Sequence, residues 1–596
     1  MYKRQVYDNT PDGSFVSDIL EVISASGNDI DSEMQEQIMR LYIETLPETS
    51  YAKSIQRRNV VAGFETSVEG AMRNKGFDLS SQIAKMQSAG QIRAIDKEIN
   101  EVHSAGAPEG ISRDRFDIIH EMAQQRSKFA RLGARNKTIE PIYQRLNQVA
   151  FIYTIGFNAS SALVNLSQIP MIVGPFMSGK FGVEETLVAM GRANKFVRSS
   201  KLSIDEYYEV KDGEFTGKIK PDVEKKLRDT AIDEDAGNEA VAEYERMATL
   251  IKASDAQGHI YHSEMKDAMG VDELDRKGNK NPIAKVLDAT SHVSAIMFSA
   301  AERFNRQTTL VMGYNLVLDQ MQSKKRVYSS VQGKFVDVPS NRQARYDYAA
   351  KEAIYLAQEL NGGTVLETAS GWSQQGIMRL GLMYKSHGMQ MIYTMLSAAK
   401  MFFTNIKGTD AESRELRAMA TKQLAAVHVS AFMFAGVYGL PMTGALMMAY
   451  DALFADDEED DARTSLRKYL GEGTYKGPLT AALGTDVASR IALSHLLLQG
   501  NRYNRDATVE ETIGFWVGGP AVSTANRGIR AWKDFGEGEF ERAAENLAPA
   551  GVTNLVRSTF GRYAREEGIR TRRFDPIYDD MTMGDFAMQA LGFPPV

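Results

Sequence analysis

LAAVHVSAFMFAGVYGLPMTGALMMA, Leu424–Ala449, runs for 26 residues without Asp, Glu, Lys or Arg. About 20 apolar residues suffice for a helix to cross a bilayer. The stretch therefore has two readings, a membrane span or a helix buried in a bundle. Gly439-Leu440-Pro441 interrupts it, because proline has no amide donor and clashes with the preceding turn. A single straight span is not expected. The stretch reads as a helical hairpin, packed against protein in a stored state and only conditionally available to a membrane. Its flanks are asymmetric. Arg414, Arg417 and Lys422 precede it and the run DDEEDD, Asp456–Asp461, follows. On insertion that asymmetry favours the N-terminal flank on the cytoplasmic side.

A second stretch, Leu146–Gly179, lacks Asp, Glu, Lys, Arg and His for 34 residues. Pro170 and Pro175 are expected to break it into two half-helices or a re-entrant hairpin. The residues singled out as membrane-competent in the pair are Phe151, Ile152, Ile155, Phe157, Phe432, Phe434, Val437, Leu440 and Met447. A third segment, Gly376–Lys407, is rich in Met and aromatics but carries Arg379, Lys385, His387 and Lys400. It is amphipathic, suited to a bundle or to a membrane surface.

Around these segments the composition is that of a water-soluble chain. It has 596 residues, 25% of them charged, with a mean hydropathy of -0.32. This length suits roughly three or four domains. The net charge is -7 and the pI near 5.8, so any contact with nucleic acid is local and a general coat is excluded. There is no cysteine, which excludes disulfides, thiol nucleophiles and Cys-based zinc sites. The opening MYKRQVYDNTPDG has no apolar h-region and is not read as a signal peptide. It reads like the start of a fragment or a processed form.

Apolar residues recur at helical spacing over Ser32–Leu46, Ile111–Ala134, Ile283–Leu318, Tyr346–Leu360 and Ser413–Ala449. Two short segments read as β-hairpins: Tyr207–Ile219 around Asp212-Gly213, and Val327–Val338 around Gln332-Gly333. The expected fold is mainly α, an elongated multi-helix bundle with one or two small β-hairpin excursions. Six regions are expected. Residues 1–140 form an N-terminal helical region, and 141–205 an uncharged helical-hairpin region. Residues 206–282 are a charged insertion with a β-hairpin, and 283–410 a central bundle. Residues 411–455 form an apolar hairpin, and 456–596 a C-terminal helical region with an Arg-rich strip.

Enzyme signatures are scarce. There is no Walker loop, no GxGxxG after a strand and no GxSxG elbow. His259, His262 and Glu264 have an i,i+3 pair and a nearby carboxylate, but not the HExxH arrangement or a third ligand. No catalytic residue, cofactor or metal is expected. An undetected hydrolase remains as an alternative, with these three as its candidates. Arg557, Arg562, Arg565, Arg570, Arg572 and Arg573 are interleaved with Phe560, Tyr563 and Phe574. Arg with aromatics is the composition of a DNA-tracking strip, through phosphate contacts and stacking. The competing reading is a helix–helix or subunit contact made by Arg–carboxylate pairs.

Several segments together resemble one family. They are RRNVVAGFETSVEGAMR (Arg57–Arg73), GFNASSALVNLSQIPMIVGPFMSGKFG (Gly156–Gly182), MFSAAERFNRQTTLVMGYNLVLD (Met297–Asp319), LAPAGVTNLVRSTFGRYAREEGIRTR (Leu547–Arg572) and MTMGDFAMQALGFPP (Met581–Pro595). Their order is similar to the C-terminal region of large phage polyvalent proteins and to the internal virion, or ejection, proteins of short-tailed phages. The resemblance implies a protein of the capsid interior near the portal, ejected ahead of the genome to help form a conduit for DNA. After ejection it would reside in the host periplasm and inner membrane. The implied partners are further copies in a ring about the portal axis, the portal, other internal virion proteins, double-stranded DNA and the host inner membrane. Members often carry a peptidoglycan-cleaving domain upstream. Its catalytic Glu-Ser motif is not seen here, since Glu412-Ser413 is a bare dipeptide. The alternative is an internal core or scaffold protein with no membrane role.

Overall fold

The computed structural model describes residues 94–107, 140–200, 204–211, 214–256, 282–361, 386–441, 462–493, 524–570 and 576–595, with scattered positions in 113–124 and 443–450. The chain forms two compact units. One comprises Met1–Gly133 with Asp272–Lys280, the other Ala134–Val271 with Asn281–Val596. In the first unit residues 94–105 are helical, and the rings of His103 and His120 stack with centroids 3.8 Å apart. His103 Nε2 lies 2.7 Å from Asp117 Oδ1, and this hydrogen bond holds the Asp117 carboxyl below its ordinary range. The Ser32–Leu46 helix and most of Ile111–Ala134 lie outside the described residues.

The fold is mainly α: 78% helical, with short two-stranded hairpins. The second unit contains α1 (Glu140–Thr154), α2 (Ala159–Leu166), α3 (Gly174–Phe181) and α4 (Val183–Ser200), then hairpin β1–β2 (Tyr208–Lys211, Glu214–Ile219) and α5 (Glu234–Ala256). There follow α6 (Pro282–Ser323), hairpin β3–β4 (Arg326–Ser329, Lys334–Asp337), α7 (Arg342–Asn361), α8 (Ser386–Thr404) and α9 (Ala411–Gly439). Toward the end come α10 (Phe540–Leu547), α11 (Ala550–Thr559), strands β5 and β6 (Ile569–Arg570, Pro576–Tyr578) and α12 (Met583–Leu591).

The 42-residue α6 is the core element, packed against α1, α2, α4 and α7. Its Leu310, Val311, Met312, Tyr314 and Leu316 are at most 1% exposed. Ala349, Ala350 and Ala353 line the facing side of α7, and small residues let the two backbones come close. A Cβ at Gly313 would touch Ala353 Cα at 3.5 Å. The core also holds amides. Asn305 of α6 donates Nδ2–H to Asn165 Oδ1 of α2 over 2.9 Å, both side chains buried, which satisfies groups that are costly to leave unpaired. Both expected hairpins form, and the first docks on α5, where Tyr208 donates its hydroxyl to Tyr244 O at 2.9 Å.

The first uncharged stretch departs from expectation in one respect. Its break is not at the prolines. The chain bends by 89° between Arg145–Thr154 and Ala159–Phe181, at a turn over residues 155–158. Phe157 there has a φ of +57°, and a Cβ on Gly156 would lie 2.9 Å from Ser294 Cβ of α6. Contact with α6 sets the bend. The prolines are absorbed by a π-helical turn, Ile169–Val173, in which the Gly174 amide bonds to Ile169 O. Pro175 has no N–H to offer Pro170 O. That carbonyl instead accepts from Ser430 Oγ of α9 at 3.1 Å.

The second stretch forms the C-terminal half of α9, and the helix ends at Gly439. Asp410 caps its start by accepting from Ser413 N at 2.8 Å. An added kink sits at Gly436, with φ 64° and ψ -157°, a region open in practice only to glycine. A Cβ there would lie 2.4 Å from Gly477 N and from Tyr475 O. Helices α3 and α9 pack backbone to backbone, since a Cβ on Gly179 would lie 2.5 Å from Gln423 N. The two uncharged stretches thus pack against each other. Among the described residues no single helix is long and apolar enough to cross a membrane. The bent pair Arg145–Thr154 and Ala159–Phe181 meets that test only jointly.

Candidate functional site

Lys180 is the first charged residue after the 34-residue uncharged stretch. It stands near the end of α3 and its side chain is 3% exposed. Its ammonium donates to Ser330 Oγ at 2.6 Å, lies 3.7 Å from Glu352 Oε2, and approaches the ring centroids of Phe181 and Tyr328 at 5.1 and 5.6 Å. Glu352 sits mid-way along α7, its side chain 2% exposed. It closes the β3–β4 turn: Oε2 accepts from Ser330 N at 2.9 Å, Oε1 from Val331 N at 3.3 Å, and Oε1 also from Ser329 Oγ. Ser329 Oγ in turn accepts from Gln332 N at 3.1 Å.

Glu359 is two helical turns further along α7, on the same face. Burial pushes its carboxyl up to about 7; Lys180 opposes that rise and Glu352 adds to it. Burial also lowers the Lys180 ammonium, against the pull of Glu352 and Glu359. Burial raises the Tyr355 hydroxyl to about 12, with Glu359 contributing. The Lys180 ammonium therefore pairs with Glu352 in an aromatic setting and acts electrostatically on the buried Glu359 carboxyl as well. The turn amides that an oxyanion would need are already taken by Glu352. The arrangement ties β3–β4 and the end of α3 to α7 through Glu352, with the raised Glu359 carboxyl further along the same helix face. Pattern reading of the sequence missed Lys180, Glu352 and Glu359. The available signal was a lone lysine closing a long uncharged run.

The arginine strip is a separate cluster, built on α10, α11 and β5. Arg557 of α11 meets Glu545 of α10, with Nε 2.7 Å and Nη2 2.6 Å from Oε2. Arg562 Nη2 reaches the same oxygen at 3.3 Å. Both guanidinium groups lie over the Tyr563 ring, at 5.6 and 5.5 Å from its centroid. Arg565 pairs with Glu541, and Arg570 Nη2 with Asp579 Oδ1 at 3.0 Å. Each of these four arginines thus pairs with a carboxylate of its own chain, Arg557 and Arg562 sharing Glu545, which leaves one positive charge over among these groups. Arg570 lies in β5, paired with β6 in a two-stranded sheet that the sequence did not suggest. Arg572 and Arg573 lie outside the described residues, as do His259, His262 and Glu264. Among the described residues no group of three or more His, Asp or Glu is placed to hold a metal.

The residues read as membrane-competent are buried or half-buried. Phe151 and Ile152 are buried on α1, Met447 is buried, and Phe434 and Leu440 pack against the main core. Ile155, Phe157, Phe432 and Val437 are half-buried. The turn at Phe157 gathers segments distant in sequence. A Cβ on Gly551 of α11 would lie 2.0 Å from Phe157 O, and one on Gly592 would lie 2.7 Å from Ser160 Oγ. In comparison with known proteins, the chain matches no family model, no curated protein and no solved structure.

Proposed function

We propose that this chain is an internal virion protein of a short-tailed phage, stored near the portal and ejected into the host envelope to help form a conduit for the genome. The observation that carries the reading is the storage of two uncharged stretches against each other, through α3 and α9, inside an otherwise charged protein. Passage through a narrow tail requires unfolding and refolding. Helical chains with many local contacts refold quickly, and a chain without cysteine has no crosslink to block threading. In this reading several copies surround the portal axis beside other internal proteins, and the arginine strip meets DNA. Mass spectrometry of purified mature particles and of envelope fractions from infected cells tests it. The chain is expected in both. Absence from mature particles refutes the proposal.

The burial of both stretches also favours a second reading, an internal core or scaffold protein that never meets a membrane. Presence in particles with persistent absence from envelope fractions is the outcome that reading requires.

A further inference from the structure

The α8–α9 pair carries an outer face that the core does not use. Tyr393, Leu396 and Phe403 of α8 and Val429 and Met433 of α9 are 52–67% exposed. Met391 and Ala398 on α8, and Val427 and Ala431 on α9, are buried on the opposite sides. The two helices pack along each other, and on each the exposed residues lie on the side away from its buried ones. Lys400 and Lys422 stand among them, both exposed.

The charges on this pair are one-sided. Between Ser386 and Gly439 there are five Lys or Arg and three carboxylates, in a chain whose net charge is -7. All three carboxylates sit at the start of α9 and are engaged there. Asp410 caps α9, Glu412 pairs with Arg326, and Glu415 accepts from Lys324 Nζ at 2.7 Å. The outer stripes themselves carry cations and no anions.

We infer that this face rests on the surface of an anionic phospholipid bilayer while the protein is folded, its apolar side chains at the headgroup boundary and its lysines on the phosphates. An apolar stripe flanked by lysines is the pattern of a helix lying in a membrane interface. Neither helix has to cross, in keeping with the absence of a single spanning helix among the described residues. A second copy meeting the same patch would set Lys400 and Lys422 against like charges, which disfavours it as the occupant. The inference rests on the membrane half of the proposed function, but it assigns first contact to a face already exposed, to which the second uncharged stretch contributes Val429 and Met433, rather than to the buried sides of the two stretches.

Sedimentation of the full chain with vesicles tests it, using phosphatidylcholine alone and phosphatidylcholine with one quarter phosphatidylglycerol. Binding is expected only with phosphatidylglycerol and is expected to fall at high salt. Lys400→Gln with Lys422→Gln should weaken it about thirtyfold, taking roughly fivefold per lysine near an anionic surface. Leu396→Ser with Val429→Ser, at exposed positions that leave helix content unchanged, should weaken it by tenfold or more. No binding to phosphatidylglycerol vesicles, or binding that both variants leave intact, overturns the inference. So does a dimer in light scattering that the same variants dissolve, which assigns the face to a second copy. Lipid binding through this face by a chain absent from mature particles would keep the inference and remove the ejection reading.

Discussion

Replacing Glu359 by Gln should make the protein's stability less sensitive to pH, with a defined sign. Burial raises this carboxyl from 4.5 to about 7. Below about pH 4.5 both folded and unfolded chains hold the proton, and the group imposes no penalty. Between 4.5 and 7 the unfolded chain releases it first, so stability falls as pH rises, by at most about 1.4 kcal/mol per pH unit. Accumulated over that interval, the loss reaches about 3 kcal/mol by pH 8. Glutamine has nearly the shape of the protonated acid and does not titrate. The variant should therefore exceed the parent by about 0.8 kcal/mol at pH 5 and by up to about 3 kcal/mol at pH 8. Urea denaturation of both chains at the two pH values measures this difference. An equal gap at pH 5 and pH 8 would refute the account of Glu359 as a proton-holding group beside Lys180 and Glu352.

Lys180→Met should destabilise by about 3–5 kcal/mol, because it leaves the Glu352 carboxylate buried without its ammonium; adding Glu352→Gln should recover part of the loss in denaturant titrations, and strict additivity would deny the pairing. Gly436→Ala should cost about 2 kcal/mol or more, given a glycine-only backbone and a 2.4 Å approach to Gly477 N, and a melting temperature within 1 °C of the parent contradicts that. Substituting Arg562, Arg565, Arg572 and Arg573 by Ala should flatten the dependence of DNA affinity on salt concentration if the strip meets phosphates, and an unchanged slope removes the strip from the proposal.

Much of the fold was legible because helical periodicity and turn chemistry are local. Asp212-Gly213 and Gln332-Gly333 marked two hairpins that form, and Gly439-Leu440-Pro441 marked the end of α9. Pro170 and Pro175 misled because a donor from a distant helix and a π-helical turn meet the proline problem, neither of which is written in the local sequence. The bend at Gly156–Phe157 was hidden for the same reason, being set by α6. The Lys180 cluster joins residues 150 and more positions apart and has no spacing signature. The arginines were visible as a composition, but their partners Glu541, Glu545 and Asp579 emerge only once α10 and β6 are placed.

The hydrogen bond from Ser430 to Pro170 joins the two uncharged stretches, since each contributes one partner. A hydrocarbon phase offers no donor to a carbonyl that its own helix cannot serve, and each such orphan costs several kcal/mol there. The first stretch, transferred alone, would carry Pro170 O into lipid unmet. Moved together with α9 it would keep its donor. The bond therefore favours the pair leaving water together, as a joint event of the π-helical turn before α3 and of α9 rather than the slipping-in of one helix after another.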